Sequence, residues 1–362
     1  DVISAGVDHG ILSIDEDGCV WFSGSFGCFG MILHPYLKFQ RVNIGIYRMN
    51  IPNVQIKTMS ASLNHWVGID SSGKAWGLGD NSSHELGVNS SNSILLPVNI
   101  PICEEVVSVI CGFRKTFFIS KNGKVYGCGS NARNCLGIPH GFLFNKNIIK
   151  SPTEIPELNN IVQIACNRDN SIFLMESGDL IVSGTVIKDR ILYKSFEVIA
   201  RKSNITNVKN IACGNDKTMV QTNDDEIFIV ENRHILYKDN PIPIGITSRI
   251  QNIYAKYNGL ILESNNTLWA TKLANQDVPT GLEQSTEYVQ IESPPGSILD
   301  CIVGYGLVIT FTTEGIYQMG GSILSIFAKD EVVQWINITE EHLKYIGPAK
   351  YFRNRTKSAK TN

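Results

Sequence analysis

Short apolar runs recur along the chain, alternating inward and outward positions with a period of two and broken by glycine, asparagine or aspartate. One stretch shows the pattern in full: Val109-Ile-Cys-Gly-Phe-Arg-Lys-Thr-Phe-Phe-Ile-Ser-Lys-Asn-Gly-Lys-Val-Tyr-Gly-Cys-Gly129. It predicts a strand, a tight loop, a second strand over Thr116–Ser120, a turn at Asn122-Gly123 and a third strand. Asn-Gly between two apolar runs predicts a two-residue hairpin loop of type I′, in which both positions take φ > 0. No long segment of helical period competes with this reading.

The pattern returns around seven tight-loop positions: Gly6, Ser62, Gly112, Asn167, Gly214, Lys256 and Gly304. The steps between them are 56, 50, 55, 47, 42 and 48 residues. Each step has room for about four short strands. Four-stranded sheets repeated radially make a β-propeller, which protects its strand edges by closing on itself. The expected fold is therefore all-β, a seven-bladed β-propeller over residues 1–348, followed by a basic C-terminal tail or linker over 349–362. A pair of β-sandwiches would leave the six similar steps without a reason. The chain opens at the strand before the Gly6 loop, and Glu331–Ile338 reads as the start of a unit that is not completed. The expected closure is one blade shared by the N- and C-terminal strands. A small residue precedes most tight loops (Ala5, Ala61, Cys111, Cys166, Cys213, Ala255) and is expected to pack near the crowded axis. The three cysteines in that series read as small structural hydrophobes rather than reactive thiols.

Composition narrows the function classes. Lys and Arg number 32 against 34 Asp and Glu, a formal charge of -2, so no general nucleic-acid surface is indicated. The charge is uneven: the tail carries Lys350, Arg353, Arg355, Lys357 and Lys360 with no acid, which leaves the body at about -7. That tail is a candidate for touching phosphates of nucleic acid or an acidic membrane; the alternative is a solvated terminus. Nine cysteines without a Cys-x-x-Cys spacing argue against a zinc site or a secreted disulfide framework. No apolar run reaches the ~18–20 residues of a membrane helix, and no charged-then-apolar leader opens the sequence. The expected setting is intracellular, cytoplasmic or nuclear, neither secreted nor transmembrane. A first residue Asp1 rather than Met fits a trimmed product or a piece of a longer chain.

The units resemble the repeat of the regulator of chromosome condensation family. The first half of that repeat stands here as Ala5-Gly6-Val7-Asp8-His9, and its middle as Asp17-Gly18-Cys19-Val20-Trp21 and as Asn122–Asn131. The later Leu-Gly stands as Leu86-Gly87 and Leu136-Gly137, followed by Leu96-Pro97-Val98 and Ser151-Pro152. The resemblance is strongest in the first three units and fades toward the sixth. It implies a propeller that binds a protein partner. For members acting on the small GTPase Ran it implies guanine-nucleotide exchange by differential affinity, without covalent chemistry.

No catalytic constellation is legible. There is no phosphate-binding loop, the glycine-rich Gly24–Gly30 segment precedes no helical pattern, and the seven histidines are scattered. No catalytic residue, metal, cofactor or small-molecule substrate is expected, and the chain is at most a non-covalent exchange factor. The tight loops of a propeller project on one face, and they supply the candidates: Asp8, His9, His65, Arg114, Asp169 and Asp216. The expected function is a protein-interaction scaffold using that loop face; the alternative is an exchange factor for a Ran-like or other small GTPase. Two readings stay open for the histidines, contact with a partner or, as the resemblance implies, a hydrogen bond across a blade. The loop aspartates read either as partner contacts or as turn-capping residues. Units three to seven lack the loop histidine, with Lys115, Asn170 and Lys217 standing in its place in three of them. The longer loop Gly141–Lys150 is a candidate projection.

Overall fold

A computed structural model describes residues 5–7, 10–14, 18–24, 45–49, 51, 53–62, 64–138, 148–156, 158–184, 187–188, 191–192, 201–203, 205–214, 217–231, 249–256, 259–271, 288–303, 307–320 and 335–337. Asp8, His9, Asp216, most of the 141–150 loop and the basic tail lie outside these residues.

The strands fall into antiparallel sheets in chain order. The first holds β1 (Ala5–Val7), β2 (Gly10–Ile14), β3 (Val20–Gly24) and β4 (Gly45–Met49). The second holds β5 (Ile56–Ala61), β6 (His65–Asp70), β7 (Ala75–Gly79) and β8 (Ile94–Asn99). The third holds β9 (Val106–Gly112), β10 (Lys115–Ser120), β11 (Val125–Ser130) and β12 (Ile148–Glu154). In the fourth, β13 (Ile161–Cys166), β14 (Asn170–Met175) and β15 (Leu180–Gly184) are joined by β18 (Arg201–Lys202), while β16 (Ile187–Lys188) and β17 (Ile191–Leu192) form a separate ribbon. The fifth has three described strands, β19 (Val208–Cys213), β20 (Lys217–Thr222) and β21 (Ile227–Glu231). The sixth comprises β22 (Asn252–Lys256), β23 (Gly259–Ser264), β24 (Thr267–Thr271) and β25 (Tyr288–Ile291). The last comprises β26 (Ile298–Val303), β27 (Leu307–Thr312), β28 (Gly315–Gly320) and β29 (Trp335–Asn337).

First strands lie beside first strands: β1 by β5, then β9, β13, β19, β22 and β26, and β26 again by β1. The succession returns to its start, but not by the expected shared blade. β1 to β4 complete one sheet and β26 to β29 another. Trp335–Asn337, read above as opening an unfinished unit, pairs with Tyr317–Met319 and finishes the last sheet. The sequence reading also passed over β4, which completes the first sheet against β3. Each terminal unit therefore has its own four strands, and the ends meet by side-to-side packing.

The core lies between neighbouring sheets. Val67 and Ile69 of the second sheet, with Leu86 of the loop after β7, pack against Val106, Val109 and Phe118 of the third. Phe117 of the third meets Phe173 of the fourth edge-on, with ring centroids 5.4 Å apart. Second strands are covered on both faces, so every residue of β6 and β10 is buried. That explains their unbroken apolar-and-hydroxyl runs.

The second hairpin differs from the type I′ expectation. Only Gly123 of the Asn-Gly pair takes φ > 0, at 76°. The Ser120 amide donates to Lys124 O and the Gly123 amide to Ser120 O, each at 2.9 Å. Strand pairing thus extends to Ser120 and Lys124, three residues make the turn, and only the last needs the left-handed region. The same brackets close Asp70–Lys74, Met175–Asp179 and Thr222–Glu226. Gly73, Gly178 and Asp225 hold the left-handed position there.

The cysteines before the tight loops behave as packing groups. Cys111 and Cys213 are buried and Cys166 half-buried, with the Cys166 Sγ filling the space that a side chain at Gly112 would need. Burial pushes the Cys213 thiol up to about 12 and that of Cys128 well above its usual range. Cys103 is exposed. Because the thiolate is the reactive form, a thiol reagent at mildly alkaline pH is expected to modify Cys103 quickly and Cys128 and Cys213 only on unfolding. Peptide mass mapping after timed labelling reads this, and native-state labelling of Cys213 as fast as Cys103 would contradict it.

Candidate functional site

The loops joining first to second strands, and those leaving third strands, emerge at the same end of each sheet. Two devices fix them. The first is a glycine closing the third strand: Gly79, Gly129 and Gly184 take φ of 114°, 100° and 109°. A side chain on any of them would run into the carbonyl oxygen of Asn64, Arg114 or Asp169 respectively. At two of these positions the next amide bonds that oxygen, Asp80 N to Asn64 O and Ser130 N to Arg114 O, both at 2.7 Å. Arg114 itself is held at φ 54°.

The second device is an asparagine that brackets the loop after the third strand. Asn81 Oδ1 accepts from Leu86 N and Asn131 Oδ1 from Leu136 N, each at 2.9 Å. Each loop is then fastened by a hydroxyl of the following sheet. Thr116 Oγ1 donates to Glu85 O at 2.6 Å, and Ser171 Oγ to Cys135 O at 2.6 Å.

His65 is buried and its Nε2 lies 2.9 Å from Thr116 Oγ1. The single Thr116 hydroxyl hydrogen is used on Glu85 O, so Nε2 of His65 is the donor. The histidine thus makes a hydrogen bond from the second sheet to the third. The equivalent residue one unit on, Lys115, is fully buried and its Nζ donates to Asn170 O at 3.4 Å.

Glu85 went unremarked in the sequence. Its side chain is buried, and Oε2 accepts from the Ser83 amide at 2.7 Å. Burial raises its pKa to about 7; its own amide and that of Ser83 oppose the rise, Asp80 adds to it and Arg114 opposes it.

Outward from these fixed points, Phe113 carries two guanidinium groups over its ring. Arg168 lies 5.2 Å and Arg114 5.5 Å from the ring centroid. Both arginines are exposed. The Asp169 carboxylate is engaged by Arg133, with Nη1 to Oδ2 2.5 Å. The structure thus brings together two of the sequence candidates, Arg114 and Asp169, and adds Phe113, Arg133 and Arg168. His65 sits beneath that surface. The signal for Phe113 was an aromatic residue inside a tight loop, but its neighbour Arg168 comes from the next sheet. Among the described residues no group of three His, Cys, Asp or Glu is placed to hold a metal ion, and no helix is long and apolar enough to cross a membrane.

The family model described as the Regulator of chromosome condensation (RCC1) repeat matches residues 122–174. Protein pim1 of Schizosaccharomyces pombe is 22% identical over 272 residues, which cover 68% of this chain and 50% of that protein. The secretion-regulating guanine nucleotide exchange factor of Bos taurus is 26% identical over 132 residues, 36% of this chain and 28% of that one. The chain thus spans half the length, or less, of these curated relatives. Human WBSCR16 superposes with a TM-score of 0.66 at 18% identity, covering 86% of this chain and 87% of that one. The matched repeat runs from the turn at Asn122 through β11 to the buried strand β14, the part of the molecule that carries Arg133, Arg168 and Asp169. Through this repeat the chain resembles the regulator of chromosome condensation family, and it is an all-β protein with the β-propeller fold.

Proposed function

We propose that residues 1–348 form a seven-bladed β-propeller that binds a protein partner through the face bearing Phe113, Arg114, Arg168 and the Arg133–Asp169 pair, with residues 349–362 as a basic tail. One observation carries this reading. Among the described residues Arg114 and Arg168 are exposed cations with no carboxylate within ion-pair distance, whereas Lys121, Lys124, Lys209 and Arg249 at the opposite strand ends are paired. Lys121 meets Glu105 at 2.9 Å, Lys124 meets Glu104 at 3.4 Å and Glu154 at 3.1 Å, and Arg249 meets Asp225 at 2.8 Å. The test is a photo-crosslinking amino acid placed at position 168 and, separately, at position 122 on the opposite face. Adducts from 168 and none from 122 are expected; the reverse overturns the reading.

A second reading has its own support. The bovine relative's name is that of a guanine nucleotide exchange factor. A propeller that binds a nucleotide-free GTPase more tightly than the loaded form accelerates release without covalent chemistry. Several small GTPases loaded with a fluorescent nucleotide would be mixed with this chain. Accelerated release that is lost in Arg168→Ala supports exchange, and unchanged release from every GTPase removes it and leaves the scaffold.

A further inference from the structure

We infer that the Phe113 ring and the Arg114 and Arg168 guanidiniums form a receptor for carboxylates of an acidic peptide segment in the protein partner. This rests on the reading of the loop face as the partner-binding face. Two like charges within 5.5 Å of one ring centroid repel each other in the free protein, and the ring's negative face offsets only part of that. An anion between them removes the repulsion. A guanidinium also offers a planar fork of donors that matches a carboxylate in pairs, and neither fork is taken up by an acid among the described residues.

The surroundings select the occupant. Phe113 is half-buried, and the loop beneath it is anchored through the Arg114 carbonyl, so the cradle is set before binding. The body of the protein is acidic, at about -7, so a long polyphosphate chain running past the cradle meets repulsion. A short acidic peptide on the third and fourth sheets does not. Asp169 has an unusual place in this scheme. Its carboxylate neutralises Arg133 and works against an incoming acid, instead of contacting the partner as its position in the loop suggests.

The experiment measures fluorescence anisotropy of a labelled oligo-glutamate peptide with the full chain, beside an oligo-dT of equal charge. Saturable peptide binding that weakens with salt is expected. Arg168→Ala and Arg114→Asn are each expected to weaken it by about tenfold; asparagine is chosen at 114 because it tolerates φ > 0. Asp169→Asn, which frees Arg133, is expected to strengthen binding by about threefold. No binding to the wild-type chain, equal or tighter binding of oligo-dT, or weaker binding in Asp169→Asn would each overturn the inference. Crosslinks from position 168 without peptide affinity overturn this inference alone, while crosslinks only from position 122 overturn the reading beneath it.

Discussion

Gly129→Ala is expected to destabilise the protein by about 4 kcal/mol, and Gly123→Ala by only about 1 kcal/mol. Both glycines have positive φ, at 100° and 76°. An L residue in that region costs about 1–3 kcal/mol by itself. At Gly123 nothing adds to this, since an added Cβ would have its nearest neighbour at 3.9 Å. At Gly129 the Cβ would overlap the Arg114 carbonyl oxygen and come within 2.8 Å of Lys115 Cα. Those are backbone atoms of a loop held by Ser130 N and followed by a fully buried lysine, so they have nowhere to retreat. Overpacking of that kind adds about 1–3 kcal/mol. Urea unfolding at constant m reads both values. Equal losses in the two variants would show that backbone conformation alone sets the cost. The same substitution displaces Arg114, so peptide affinity should fall with stability.

Glu85→Gln is expected to make the protein more stable at pH 8 by about 3 kcal/mol and to leave it unchanged at pH 4.5. The folded carboxyl has a pKa of about 7, above the ordinary 4.5, chiefly because it is buried. The native state therefore holds a proton that the unfolded state releases. The stability from this group is fully present below 4.5 and is lost as pH rises through 7, at about 1.4 kcal/mol per pH unit between them. Glutamine keeps an acceptor for the Ser83 amide and has no charge to desolvate. The groups acting on Glu85 are Asp80, which raises its pKa, and Arg114, which lowers it. Unfolding free energies of both proteins across this range decide the matter. Parallel profiles would mean that Glu85 ionises in the folded state as freely as in the unfolded one.

The repeat is legible in the sequence for a physical reason. Second strands buried on both faces cannot hide their composition, so Lys115–Ser120 and Asn170–Met175 stand out between sharp turns. The turn at Asn122-Gly123 is legible as a turn, but not its type, because pairing stops at Ser120 and Lys124 and leaves three residues in the loop instead of two. Trp335–Asn337 carries the same alternation whether it opens a sheet or ends one, and only its register against Tyr317–Met319 decides. The site is less legible. Asp169 looks like a free loop acid until Arg133 arrives from the preceding sheet. Phe113 and Arg114 are adjacent in sequence, but the second cation over the ring lies on another loop. Glu85 shows no sign of its burial, because a carboxylate beside Leu86-Gly87 reads as an ordinary surface residue.

The hydroxyls that fasten the Glu85 and Cys135 loops from the following sheet set an order of maturation. Synthesis runs from the amino end, so Glu85 leaves the ribosome 31 residues ahead of the threonine that caps its carbonyl, and Cys135 leads its serine by 36. During translation the loops carrying Glu85 and Cys135 are each finished only once the second strand of the next sheet has been made, and until then each stays open to solvent, proteases and chaperones.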